Sequence, residues 1–314
     1  MTKLQQKNFI SPTQTSPTVA MFHPRLATVG QFIAVVLIWS LTPLAAVWTV
    51  HEIHWAWGLF IRFSLAIPLA LICLVCFRLK LTLSKQALMS YLAGALGLFG
   101  SMTFCYMGAT RVSSSMISII YGTAPLWTGL ISVFILKQER FHNLQWFGLT
   151  IAFIGLLLTI GIGSRDIQLD LVGVIYEIIA VMLYVLSMFA IARVGAGIHP
   201  IIQMTGSTIV SWLGYVCLLP FFLSAIPTEL PSIQTSIALL YSALCSSVLA
   251  MIFYFHLVQK LNPTTVMLIT IITPLLATIW DTLFNHEQIH IYLVTGLGLL
   301  CFGLFAYTYP RTKF

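Results

Sequence analysis

The stretch between Phe104 and Leu156 occurs twice, and this duplication constrains the fold more than any other feature of the chain. Shifted by 149 positions, Phe104, Ile120, Pro125 and Leu126 meet Phe253, Ile269, Pro274 and Leu275, while Arg111 meets Lys260. After a one-residue deletion opposite Gln138 the shift becomes 148, and Glu139, His142, Gly148, Leu149, Gly155 and Leu156 meet Glu287, His290, Gly296, Leu297, Gly303 and Leu304. Ten identities in order, with the charges kept in place, indicate an internal repeat. Each copy reads as a basic residue, a long apolar run with a central proline, a short polar loop carrying glutamate, and an apolar run spaced by glycines. A soluble core has no need of that order, whereas a transporter of two pseudo-symmetric halves does.

The solvent of the fold follows from the side chains. Hydrophobic residues make up 59% of the chain and charged residues 7%, and the mean hydropathy is +0.97. An ordinary globular surface needs about 25% charged residues, so the chain is a polytopic membrane protein. Ten apolar stretches have roughly the length needed to cross about 30 Å of hydrocarbon: 30–50, 55–77, 87–109, 113–136, 145–163, 171–192, 200–223, 236–258, 263–285 and 290–309. Without water to satisfy the backbone, these stretches are expected to be helices. Residues 1–26 are polar, lack an apolar core for a signal peptide, and read as a disordered cytoplasmic tail.

Orientation follows the basic residues of the short loops. With the N-terminus in the cytoplasm, Lys3, Lys7, Arg25, Arg78, Lys80, Lys85, Lys137, Arg140, Arg193, Lys260, Arg311 and Lys313 lie inside, and only Arg111 and Arg165 lie outside. Both termini are therefore placed inside an inner or plasma membrane. This bias accounts for the net charge of +7 and the pI near 9.2 without a nucleic-acid partner.

Five spans per repeat is an odd number, so the second half, residues 166–314, is expected upside down relative to the first, residues 27–165. In such inverted repeats the substrate site lies near the midplane, on interrupted helices. Pro125 and Pro274 are the matched interruptions, each lacking an N–H and freeing the carbonyl four residues back, at Tyr121 and Thr270. They read as hinges. Pro43, Pro68 and Pro220 read as packed kinks.

Polar groups within the spans mark the candidate site. Ser114, Ser118, Tyr121, Pro125, Thr128 and Ser132 recur at spacings of 4, 3, 4, 3 and 4, one face of a helix, and are expected to line a cavity rather than merely join helices. Arg62 and Glu177 are charges well inside spans, where burial is costly and function the usual reason. They are placed to form a structural pair, or to anchor a substrate or a proton. Glu177 and Tyr184 share a face, seven residues apart. Asp281 and Trp280 read as interfacial. Gly94, Gly97, Gly100, Gly148, Gly155, Gly296 and Gly303 permit close helix approach, within the chain or across a homodimer seam. The six cysteines all fall within spans and predict no disulfide framework. Cys73-x-x-Cys76, lacking a second pair, reads as two small residues on a helix surface.

Trp39-Ser40-x-x-Pro43, Arg62, Ser113 to Pro125 before Glu139, and the repeated glutamate-to-glycine spacing resemble the ten-helix EamA-type members of the drug/metabolite transporter superfamily. The resemblance covers everything after the tail, except that Tyr184 stands roughly where the first span has Trp39. It implies an all-α membrane protein of two inverted five-helix repeats that exports or exchanges small metabolites, such as amino acids or related amphipathic compounds, without an ATPase.

One motif points elsewhere. His286-Glu287-Gln288-Ile289-His290 is a literal H-E-x-x-H, the zinc-protease pattern. The first copy reads Gln138-Glu139-Arg140-Phe141-His142, so Glu-x-x-His belongs to the repeat and only His286 is new. No third ligand is placed by the sequence. The expectation is therefore a secondary transporter working by alternating access, with no enzyme activity, no metal and no cofactor. Trp39, Ser118, Tyr121, Tyr184 and Thr270 shape its cavity, Arg62 and Glu177 supply charge, and Pro125 and Pro274 bend. Its partners are a small-molecule substrate and the lipid bilayer, with protons or a counter-substrate as the coupling species. A membrane zinc protease and a passive channel are the alternatives.

Overall fold

A computed structural model describes residues 24–135, 142–159, 170–195, 197–261, 265–266, 268–285 and 291–308. Among these residues every regular element is helical. The first half provides α1 (Pro24–Glu52), α2 (Trp55–Cys76), α3 (Lys85–Ala109), α4 (Ser114–Phe134) and α5 (Asn143–Thr159). The second provides α6 (Leu171–Val194), α7 (Pro200–Ala225), α8 (Ile233–Lys260), α9 (Ile269–Asn285) and α10 (Ile291–Thr308). Seven of the described helices, α1 to α4 and α6 to α8, are long and apolar enough to cross a membrane, while α5, α9 and α10 provide shorter apolar stretches. The expected tail falls outside the described residues except for 24–26, which form the first turn of α1 behind Pro24, a residue suited to a helix start.

Polar residues at the loop ends start the helices. Ser84, Ser113, Asp170 and Ser232 each accept a backbone N–H of the first turn, from Ala87, Met116, Gly173 and Thr235 respectively, which satisfies a donor left free at a helix start. Beyond these caps the sequence is apolar on most sides. Val75, Leu92, Phe153, Ile175, Phe302 and Phe305 are each at least half exposed on the outer surface. In water such a surface would drive association, whereas against lipid tails it is matched.

The helices pack in exchangeable pairs. α2 packs on α7, α4 on α9 and α5 on α10, while α1 against α8 is matched by α6 against α3, and α2 against α8 by α7 against α3. The tightest of these contacts joins α5 and α10 through the repeated glycines. A β-carbon on Gly148 would lie 2.5 Å from the Gly303 carbonyl oxygen, and one on Gly155 would lie 2.6 Å from that of Gly296. The glycine spacing thus serves backbone-to-backbone packing within the chain.

The loops gather at two ends. At one, Glu52 accepts from the Ser232 backbone at 2.8 Å, the Trp57 indole donates to the Phe222 carbonyl at 2.9 Å, and Arg111 pairs with Asp170 at 2.9 Å. At the other, Gln86 donates to the Val194 carbonyl and Gln259 to that of Ile198.

Several departures from α-helical geometry interrupt these helices. A π-helical segment at Ile131–Ile135 lies near the end of α4 and a 3-10 stretch at Leu219–Ala225 ends α7, and three others bear on the interior. α3 contains a wide π-helical segment at Leu96–Ser101, and α8 contains another at Ser242–Leu249. Under the repeat's shift of 149 Leu96 answers Cys245, so the two wide turns overlap. α4 is interrupted at Thr123, between Ser114–Gly122 and Ala124–Leu130.

Candidate functional site

α1, α2, α3, α4, α6, α8 and α9 surround a central cavity, open at its mouth and lined by residues of both halves. The departures from regular helix help to build it. The wide turn of α3 brings Gly97 and Leu98 to the wall, and its loosened carbonyls at Leu98 and Phe99 accept the Tyr215 hydroxyl of α7 at 3.0 and 3.1 Å. The wide turn of α8 presents Ser246, whose hydroxyl lies 2.7 Å from that of Thr42 on α1, and Ser247, which binds Arg62. π turns occur mostly as single interruptions and are frequent at functional sites.

Pro125 has the effect expected of it, because α4 stops two residues before it. The Thr123 N–H turns to the Ile120 carbonyl at 3.0 Å, the Thr123 hydroxyl donates to the same oxygen at 2.5 Å, and the helix resumes at Ala124. Pro274 lies instead within the continuous helix α9. The two sites meet at Gly122, where a β-carbon would lie 2.9 Å from Cγ of Pro274. The two repeat prolines therefore mark the crossing of α4 and α9.

The apolar wall is a ring cluster shared by the halves. Trp39 stands 5.0 Å from Tyr254 and 6.0 Å from Tyr184 by ring centroids, Tyr184 stands 5.9 Å from Tyr254, and Tyr121 stands 6.0 Å from Tyr184. The Tyr121 hydroxyl lies 2.8 Å from that of Ser101. Trp39 and Tyr184, expected at related places in the two halves, are in edge-to-face contact. Tyr254 and Tyr106 also line the cavity and escaped the sequence reading. A signal for Tyr254 existed, since it follows the repeated Phe253 and stands opposite Cys105 under the shift of 149.

Arg62 supplies the charge. It is 2% exposed, donates from Nε to Ser247 at 2.9 Å and from Nη1 to the Tyr106 hydroxyl at 3.2 Å, and lies 5.8 Å from the ring centres of Phe63 and Tyr106. Every one of these partners is neutral. Removing an ion from water costs several kcal/mol unless it is compensated, and a guanidinium cannot shed its proton to escape that cost.

Ser118, Tyr121 and Thr270 also lie on the wall, and the Ser118 hydroxyl has no hydrogen-bond partner. Glu177 does not lie there. It is fully buried on α6 behind α3, packed so closely on Gly108 that a β-carbon there would lie 2.8 Å from its Cδ. Neither carboxylate oxygen has a hydrogen-bond partner, although the Cys105 thiol is near enough to interact, and the pairing with Arg62 is not formed. The intervening α3, admitted by Gly108, occupies the space such a pair would need.

Two further expectations are corrected. Of the α4 stripe only Ser118 and Tyr121 reach the cavity, while Ser114, Thr128 and Ser132 are buried elsewhere, because α4 is enclosed by protein on most sides and the break at Thr123 offsets its two parts. Asp281 is not interfacial but 1% exposed, and it accepts the Ser115 N–H at 2.8 Å and the Asn285 amide at 2.6 Å. A carboxylate from α9 thus satisfies the helix start of α4, where negative charge is favoured. Among the described residues no three His, Cys, Asp or Glu side chains cluster as a metal site, and His286 to His290 lie outside those residues.

Among the described residues the chain is a helical body around an arginine-bearing aromatic cavity, and its relatives identify it as a membrane transporter. The chain belongs to the EamA-like transporter family, whose profile matches it twice, over residues 27–161 and 171–309. It is similar to the uncharacterized transporter YoaV of Bacillus subtilis (strain 168), with 28% identity over 293 residues, 90% of this chain and 97% of that protein. A solved crystal structure described only as that of a protein shares the fold, with a TM-score of 0.69, 16% identity, and coverage of 90% of this chain and 98% of the other.

Proposed function

We propose that the protein is a secondary transporter that exports or exchanges small amphipathic metabolites by alternating access. Its halves, residues 27–165 and 166–314, act as inverted five-helix repeats in an inner or plasma membrane with both termini cytoplasmic. The observation that carries this reading is the shared wall of the cavity, where Trp39, Arg62, Ser118 and Tyr121 of the first half face Tyr184, Tyr254 and Thr270 of the second. A site divided between two bodies changes access when one rocks against the other. The exchangeable helix pairs and the overlapping wide turns support the inverted arrangement. Protons or a counter-substrate drive the cycle in this reading, and Glu177, buried behind the cavity wall beside the Cys105 thiol and with no cation paired to it, is the candidate proton carrier.

Counterflow tests the proposal. Vesicles holding the purified protein and an excess of unlabelled substrate take up labelled substrate transiently against its gradient if access alternates. Uptake that only ever equilibrates means a channel and overturns the mechanism.

A further inference from the structure

We propose that the cavity takes a monoanion with a planar apolar body, an aromatic carboxylate, held by Arg62 at the charged end and by Trp39, Tyr184 and Tyr254 along the ring. The inference rests on the reading of the cavity as the transport site and narrows what passes through it.

The sign of the charge comes from Arg62. It faces the cavity with only neutral neighbours, namely the hydroxyls of Ser247 and Tyr106 and the sulfur of Met102. Among the described residues of the wall there is no carboxylate, and the nearest candidate, Glu177, is not on the wall but packs behind it against Gly108 and Cys105 of α3. The site is therefore a fixed cation lacking a counter-ion. A guanidinium fork matches the two oxygens of a carboxylate in geometry as well as charge. Ser118 adds to the same wall a hydroxyl with no protein partner.

The body comes from the rings. Three aromatic side chains with centroids 5.0, 5.9 and 6.0 Å apart present faces and edges to one space, and a further ring is accommodated by the same offset or edge-to-face contacts. Such clusters also attract cations. Here Arg62 opposes them, because a ligand ammonium would share the cavity with a guanidinium and meet no carboxylate. The balance favours a monoanion over a zwitterion or an amine, and so moves the expected substrate away from free amino acids.

The test is a charge series on one ring, using the purified full-length chain in detergent. Phenylacetate, phenylacetamide, phenylalanine and phenethylamine are titrated against tryptophan fluorescence and apparent melting temperature, with acetate as the control without a ring. Phenylacetate is expected to bind at least tenfold more tightly than each of the others: the amide and the amine lack the charged acceptor, phenylalanine brings an ammonium towards the guanidinium, and acetate lacks the ring. Arg62→Gln is expected to make phenylacetate and phenylacetamide equal. The wild-type series decides the matter even where that variant fails to fold. Phenylalanine or phenethylamine binding as tightly as phenylacetate overturns the inference and leaves the transport reading standing, and so does a panel in which nothing binds. The expected charge preference without counterflow of phenylacetate overturns the transport reading and leaves the inference standing.

Discussion

Two alanine substitutions five residues apart on α10 are expected to differ in their effect on stability, and the difference isolates one contact. At Gly298 a β-carbon meets nothing within 4 Å, so Gly298→Ala brings only the helical advantage of alanine over glycine, about 0.5–1 kcal/mol. At Gly303 the same atom would lie 2.6 Å from the Gly148 carbonyl oxygen and 2.8 Å from Cα of Ala152. The Ala152 backbone nitrogen lies closer still; ordinary contact begins near 3.4 Å, so the backbones of α5 and α10 must part by at least about 0.8 Å, and neither can yield as a side chain would. Overpacking of this kind costs about 1–3 kcal/mol. The propensity gain is common to both variants, so the gap between them equals the overpacking cost. Unfolding titrations in mixed micelles, followed by tryptophan fluorescence, measure that gap directly. Gly303→Ala as stable as Gly298→Ala would refute the backbone contact between α5 and α10, and with it the structural account of the repeated glycines.

Three further outcomes are expected. Single cysteines at Ser118 and Tyr121 react with a small water-soluble thiol reagent and are protected by substrate, whereas cysteines at Ile119 and Leu126, buried against neighbouring helices, do not react; equal reactivity around the helix rules out the cavity wall. Cysteines at Lys80 and Asp170 are labelled from opposite faces of the membrane, and labelling of both from one face ends the inverted-repeat reading. The Asp170 carboxyl is held below its ordinary range, first by the Gly173 N–H and then by Arg111. Its contribution is therefore present at neutral pH and lost as pH falls through the lowered value, so the melting difference between wild type and Asp170→Ala shrinks on acidification, and a constant difference contradicts the linkage.

The helices and part of the cavity wall, namely Trp39, Arg62, Ser118, Tyr121, Tyr184 and Thr270, were legible because each leaves a local mark. A bilayer leaves the backbone few choices, and the helix breaks just before Pro125, whereas Pro274, which lacks an N–H equally, stays within a continuous helix. Arg62 stood out because one charge in an apolar run has no surface to reach. Glu177 looked the same in sequence, yet its direction depends on which face of α6 meets Gly108, and only packing decides that. Asp281 was misplaced because closeness to a helix end says nothing of what covers it, and here α4 does. The wide turns left no local signal, since a residue absorbed within a helix changes neither composition nor apolar period enough to be read.

The wide turns of α3 and α8 have a consequence for how the length of these helices can vary. A π turn accommodates one more residue than the α-helix needs while the flanking turns keep their phase. Deleting one residue within Leu96–Ser101 leaves Gly94 and Cys105 facing as before, whereas the same deletion elsewhere in α3 turns everything beyond it by about 100°. A related chain with a single-residue gap within these segments is therefore expected to keep the same set of inward-facing side chains, and one with a gap a turn outside them is not.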